Sequence, residues 1–125
     1  MPRFVVHRHA AKKLHFDFRL EMNKVLKSWA IPKEPPNKKG IKRLAIQVED
    51  HALSYINFEG RIPEGMYGAG LVKIWDKGRY EIKEEAWNKL VFALFGKKLK
   101  GDFCLIKLKP NPRFKGKNNW LFFKK

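Results

Sequence analysis

Apolar and polar side chains alternate through most of the first half of the chain. In residues 14–20, Leu14, Phe16, Phe18 and Leu20 fall on one side of an extended strand, and His15, Asp17, Arg19 and Glu21 fall on the other. That pattern predicts a strand with one face in a core and one face of convergent polar groups. Met22-Asn23-Lys24 reads as a hairpin turn without the favoured Asn-Gly pair, and residues 25–31, with Lys27 among them, return as the partner strand. Residues 32–40 form a proline- and lysine-rich loop. Alternation resumes in residues 42–51: Leu44, Ile46 and Val48 make an apolar face, opposite Arg43, Ala45, Gln47, Glu49 and His51.

Residues 55–58 suggest a further short strand. Residues 60–70, with Pro63 and four glycines, suggest a long loop. Residues 71–75 and 79–82 flank Asp76-Lys77-Gly78, a hairpin signal. Trp87, Leu90, Val91, Leu94 and Phe95 follow helical spacing, and Gly96 can end that helix. Two more strands, 102–108 and 120–124, enclose a loop rich in lysine and asparagine. The expectation is a mostly β fold: a small antiparallel barrel of seven or eight short strands, with one amphipathic helix and minor helical turns. His7 is expected to be an exposed strand residue. The four tryptophans, Trp29, Trp75, Trp87 and Trp120, are expected in the core.

Charge changes this picture. The 125 residues form one domain (residues 1–125), with 28 Lys and Arg against 12 Asp and Glu, a net charge of +16. The 44% hydrophobic content is enough for a core, so the charge does not signal disorder. A folded domain this basic points to a polyanionic partner. The single cysteine, Cys104, excludes an internal disulfide and a cysteine-rich zinc site, and it reads as a buried strand residue. With no signal peptide and no apolar run of membrane-spanning length, a soluble cytoplasmic protein without a membrane partner is expected. Nothing calls for an obligate dimer, so a monomer is the expectation.

His9, His15 and Asp17 are the sharpest chemical feature. Two imidazoles and a carboxylate suit a divalent transition metal with open positions. Arg19 continues the same strand face, while Arg43, Glu49 and His51 share the polar face of another strand. Metal, arginine and histidine are the groups that phosphoryl chemistry needs. Tyr55 either donates to a phosphate or caps the core. The glycine-rich residues 64–70 lack the Lys-Ser/Thr of a nucleotide-binding P-loop and read as a tight turn at a barrel rim. Two other readings compete. One is a non-catalytic, basic nucleic-acid-binding barrel; the other is an iron oxygenase using His15, Asp17 and His51.

Several longer motifs narrow the choice. Residues 4–21 (FVVHRHAAKKLHFDFRLE), 25–33 (VLKSWAIPK), 43–51 (RLAIQVEDH) with Tyr55, and 58–65 (FEGRIPEG) resemble the 3′-phosphoesterase module of the bacterial DNA repair ligase D family, in the same order. The resemblance implies a β-barrel with a groove on one side. It also implies a manganese-dependent end-healing enzyme acting on DNA or DNA–RNA primer-template 3′ ends. Such an enzyme removes a 3′-terminal ribonucleoside to leave a 3′-phosphate, then hydrolyses that phosphate to leave a 3′-hydroxyl. Carried over by position, His9, His15 and Asp17 are the metal ligands, and Arg19, Arg43, His51 and Tyr55 handle phosphate. Lys27 and Glu49 orient or support. The implied setting is non-homologous end joining by a free-standing module, beside a separate DNA ligase and polymerase. Two departures are a short segment before Phe4 and a histidine at position 7, where the family pattern has another residue.

Overall fold

A computed structural model describes residues 1–113 and 116–125. Nine strands run in the order β1 (Arg3–Ala10), β2 (Leu14–Met22), β3 (Val25–Ile31), β4 (Lys42–His51), β5 (Gly60–Ile62), β6 (Gly70–Ala86), β7 (Lys89–Phe95), β8 (Lys100–Lys107) and β9 (Asn119–Lys124). Their lateral order is β1-β2-β3-β4-β9-β8-β7-β6, and β6 pairs back onto β1, so eight antiparallel strands close a barrel. β5 lies outside the ring, along the first residues of β6. Closure satisfies the strand edges that an open sheet would expose.

The expected alternation in β2 is present. Phe16, Phe18 and Leu20 point into the barrel with Phe4, Val6, Trp29, Phe92, Leu94 and Phe122. The Phe18 ring lies 4.7 Å from that of Phe122 and 5.8 Å from that of Phe92, at the centre of an aromatic core. The β2–β3 turn has two residues in the left-handed region, Asn23 (φ 52°) and Lys24 (φ 66°). That geometry matches strand twist, so the hairpin forms without glycine. Cys104 is buried as expected.

Several expectations are corrected. The residues read as an amphipathic helix form β7, and Trp87 sits 80% exposed in the turn before it rather than in the core. Leu90 to Leu94 are all buried, so both strand faces are apolar, and a continuous apolar run imitates helical spacing. Asp76-Lys77-Gly78 is no hairpin, because β6 runs through it for 17 residues. The Asp76 carboxylate instead accepts backbone N–H bonds from Lys77, Lys97, Lys98 and Leu99, tying down the β7–β8 turn. A side chain at Gly78 would meet the Phe95 carbonyl at 2.2 Å, so glycine there serves close strand approach. Residues 53–57 form a 3-10 turn rather than part of a strand, and residues 60–62 of the expected loop form β5.

The faces of β4 are also reversed. Ala45 is buried opposite Trp120, while Ile46 and Val48 are 38% and 36% exposed. Large rings already fill the barrel, so the small residue points inward. A bulge follows, because Ser28 pairs with Val48 but Leu26 pairs with His51. The extra residue shifts the alternation and turns His51 to the outer wall, away from the side shared by Arg43, Ala45 and Gln47. Finally, His7 is fully buried. A second small core, Val5, Leu26 and Ile56 with Leu53, Tyr55 and Ile74, holds the 3-10 turn against the outer wall and covers it.

Candidate active site

The outer faces of β1, β2 and β3 carry the chemistry. Cross-strand pairing sets His9 opposite His15, His7 opposite Asp17, and Arg19 opposite both Val5 and Ser28. Alternation alone places these side chains on one wall, because each faces away from a residue in the aromatic core.

His9, His15 and Asp17 converge, with one ligand atom from each within 4.8 Å of the others. Asp17 Oδ2 lies 3.5 Å from His9 Nδ1 and 3.2 Å from His15 Nε2. The far side of each ring faces a backbone carbonyl. His9 Nε2 donates to the Gly68 carbonyl at 2.6 Å, and His15 Nδ1 lies 3.4 Å from the Lys13 carbonyl. A carbonyl can only accept, so the outer nitrogen of each ring carries a proton, and the inner nitrogens face the Asp17 carboxylate, where a bound metal would take the place of any proton. These donors fit a divalent transition ion with open positions.

The electrostatics fit the same use. The hydrogen bond to Asp17 raises the His15 pKa above its ordinary value, against the effect of burial. A metal and a proton therefore compete for the same ring nitrogen. Burial disfavours charge on Asp17, but the His15 hydrogen bond and the Arg19 charge more than offset it and keep its pKa below the usual range.

Arg19 is the hub beside this centre and is 3% exposed. Its Nε donates to His7 Nδ1 at 3.1 Å, and its Nη1 to Ser28 Oγ at 2.9 Å. Nη1 also lies 3.1 Å from His51 Nδ1, and Nη2 lies 3.5 Å from Asp17 Oδ2. The guanidinium carbon stacks 5.1 Å from the centre of the Tyr55 ring, which packs in turn on His7, His51 and Phe58. Burial, then the Arg19 charge, lowers the His51 pKa, so its imidazole is neutral at ordinary pH. Burial, again with Arg19, holds His7 at about 4. Burial likewise raises the Tyr55 pKa and keeps the phenol protonated.

The structure thus brings together His9, His15, Asp17, Arg19, His51 and Tyr55. The other expected site residues lie apart. Arg43 Nε donates to the Glu34 carbonyl at 2.8 Å and lines a separate cavity of about 460 Å³ with Lys33, Lys42 and Arg113. Lys27 pairs with Asp50 at 3.2 Å. The Glu49 side chain is exposed, and its carbonyl lies 3.1 Å from His51 Nδ1. The alternative triad of His15, Asp17 and His51 does not assemble as a three-residue centre; His51 contacts Arg19 instead. Sequence reasoning missed His7 as an Arg19 partner and Gly68 as a His9 partner. The histidine opposite Asp17 and the glycine-dense loop were the available signals.

A closed antiparallel barrel with a two-histidine, one-carboxylate centre on its outer wall, beside a buried arginine, defines a β-barrel domain with a candidate metal site. The family model for the DNA Ligase D 3′-phosphoesterase domain matches residues 7–107. A multifunctional non-homologous end joining protein LigD of Pseudomonas aeruginosa is 51% identical over 110 residues, covering 84% of this chain and 13% of that protein. The corresponding Mycobacterium bovis protein is 44% identical over 83% of the chain and 14% of its own length. That of Mycolicibacterium smegmatis is 39% identical over 95% of the chain and 16% of its own length. The chain belongs to the DNA ligase D 3′-phosphoesterase domain family, and it spans about one-seventh of the length of these relatives. Among the described residues, no helix is long and apolar enough to cross a membrane.

Proposed function

We propose that this domain is a hydrolase that heals 3′ ends of DNA during non-homologous end joining, with manganese as its metal. Its two steps are removal of a 3′-terminal ribonucleoside, leaving a 3′-phosphate, and hydrolysis of that phosphate to a 3′-hydroxyl. The observation that carries this reading is the convergence of His9, His15 and Asp17, with one ligand atom from each within 4.8 Å of the others, directly beside Arg19. The imidazole donors favour manganese over magnesium. A divalent ion held there would supply Lewis-acid polarisation of the phosphoester.

The protein's own groups do the rest. Arg19 is held in one orientation by His7, Ser28 and Asp17 and presents fixed positive charge to a phosphate. When His51 Nδ1 accepts from Arg19, the neutral ring carries its proton on Nε2 and grips a phosphate oxygen with it. Tyr55 donates from its protonated phenol. Lys27 and Glu49 support His51: the Lys27–Asp50 pair fixes the end of β4, and Glu49 lies on that same strand two residues before His51. Arg43 meets a phosphate of the same strand outside the metal centre. The basic surface guides the polyanion, and a ligase and a polymerase act on the healed end.

The test is release of inorganic phosphate from a 3′-phosphorylated oligonucleotide. Release should require manganese and disappear in His9→Ala, His15→Ala and Asp17→Ala. Full activity in excess chelator would overturn the metal role, and no release with manganese would overturn the function. His51→Ala should slow the oligonucleotide and an aryl phosphate alike. Selective sparing of the aryl ester would instead make His51 the acid that protonates the leaving oxygen.

A further inference from the structure

Residues 63–70 form the rim of the metal centre, and their geometry is fixed. The Met66 N–H donates to the Pro63 carbonyl and the Ala69 N–H to the Met66 carbonyl, making two successive tight turns. Gly68 (φ +76°) lies in the left-handed region, and a side chain at Gly70 would meet the Ala10 carbonyl at 2.2 Å. The Gly68 carbonyl is bonded to His9, so the loop is anchored on a candidate metal ligand.

On this anchored turn, one residue before Gly68, stands Tyr67. Tyr67 is fully exposed, and the neighbouring Met66 is 62% exposed. The other two tyrosines are used otherwise: Tyr55 packs in the site and Tyr80 is 2% exposed in the core. A tight turn is satisfied by small polar residues, so the turn itself gives no reason for a large ring at its tip. Lys12 and Lys13, in the turn that joins the strands of His9 and His15, are exposed. The centre is therefore flanked by cationic and aromatic surface, the combination that binds single-stranded ends.

We propose that Tyr67, backed by Met66, is a seat for a nucleobase at the 3′ end being processed. This rests on the reading of the adjacent centre as a 3′-phosphoester site. A phosphate held beside His9 and Arg19 leaves its own nucleoside within reach of the rim, where the phenol face stacks on any base. Met66 adapts to the edge of whichever base arrives. The seat is indifferent to sequence and selects for the presence of a base.

The test separates stacking from catalysis. An all-DNA single strand ending in 2-aminopurine deoxyribonucleoside with a 3′-hydroxyl, the form that cannot turn over, is titrated with the protein in the presence of manganese. Wild type and Tyr67→Phe should quench the probe, and Tyr67→Ala should lose the quench and bind about 10-fold more weakly. On 3′-phosphorylated strands, Tyr67→Ala should raise KM by a similar factor. With an abasic terminal residue, wild type and Tyr67→Ala should converge. Equal quenching by wild type and Tyr67→Ala, or an undiminished KM effect on the abasic strand, would overturn the base seat. Quenching that depends on Tyr67, without phosphate release by wild type, would support the seat and sink the phosphoesterase reading.

Discussion

The two faces of β2 are built from neighbouring residues and serve opposite purposes. Inward, Phe16, Phe18 and Leu20 join a core of rings with no charge. Outward, His15, Asp17, Arg19 and Glu21 meet other polar groups, and Asp17 and Arg19 are nearly as buried as the rings behind them. The inner face is buried by barrel closure. The outer face is buried by the 3-10 turn and its small apolar cluster. Burial on the inside stabilises, through the removal of apolar surface from water. Burial on the outside strengthens electrostatics, and every charged group there needs a partner. Arg19 and Arg43 repeat the contrast: the first contacts His7, Ser28, His51 and Asp17 at once, whereas the second is held by one carbonyl at the edge of a cavity.

The comparison can be broken one residue at a time. Asp17→Ala should lower phosphate release by at least about 10²-fold while leaving a cooperative melt, because it removes a donor from the outer wall and nothing from the core. Activity near wild type would remove Asp17 from the site, and a collapsed melt would show that the two faces are not separable. Phe18→Ala, one position along, should lower stability by about 3–5 kcal/mol in urea unfolding. A loss under 1 kcal/mol would place the core elsewhere.

His7 sharpens the comparison through pH. Its folded pKa is about 4, below the ordinary 6.5. The unfolded chain therefore binds the proton first. The stability tied to neutral His7 is complete above pH 6.5 and is lost as pH falls toward 4, by up to about 3 kcal/mol. In metal-free protein, His7→Gln should flatten that part of the acid limb in urea titrations at pH 7 and 4.5. Unchanged slopes would place a charged His7 in the wall. The smallest effect belongs to Glu21, on the same outer face but paired with Arg3 in partial exposure. The Arg3 hydrogen bond holds its pKa below the ordinary value, so its contribution is present above the usual carboxylate range and is lost as pH falls through the folded value. Glu21→Gln should cost less than about 1 kcal/mol near neutral pH. A larger loss would mark the pair as part of the core.

What was legible in the sequence follows the same division. The alternation in β2 could be read because one face is uniformly apolar, and it placed Asp17 and Arg19 on one wall beside His15. β7 could not be read, since both of its faces are buried and the period vanishes. The β4 bulge leaves no mark in composition, so Arg43 and His51 looked like neighbours and are not. The burial of His7 depends on residues 53–57, whose short apolar run does not announce a 3-10 turn. The glycine-dense loop was legible as a tight turn, but its bond to His9 spans 59 positions and has no local trace.

Barrel closure has a kinetic consequence. Arg3 pairs with Arg79 and His9 with Val72, so the seam between β1 and β6 joins segments more than sixty positions apart. Such a seam closes only after the entropy of a long loop has been lost, which places it late among the folding events. His9 lies on one side of that seam, and its Gly68 partner lies just before the other. The His9–His15–Asp17 cluster is assembled within the β1–β2 hairpin, so its three side chains meet early, and ring closure adds the Gly68 bond that fixes the His9 ring.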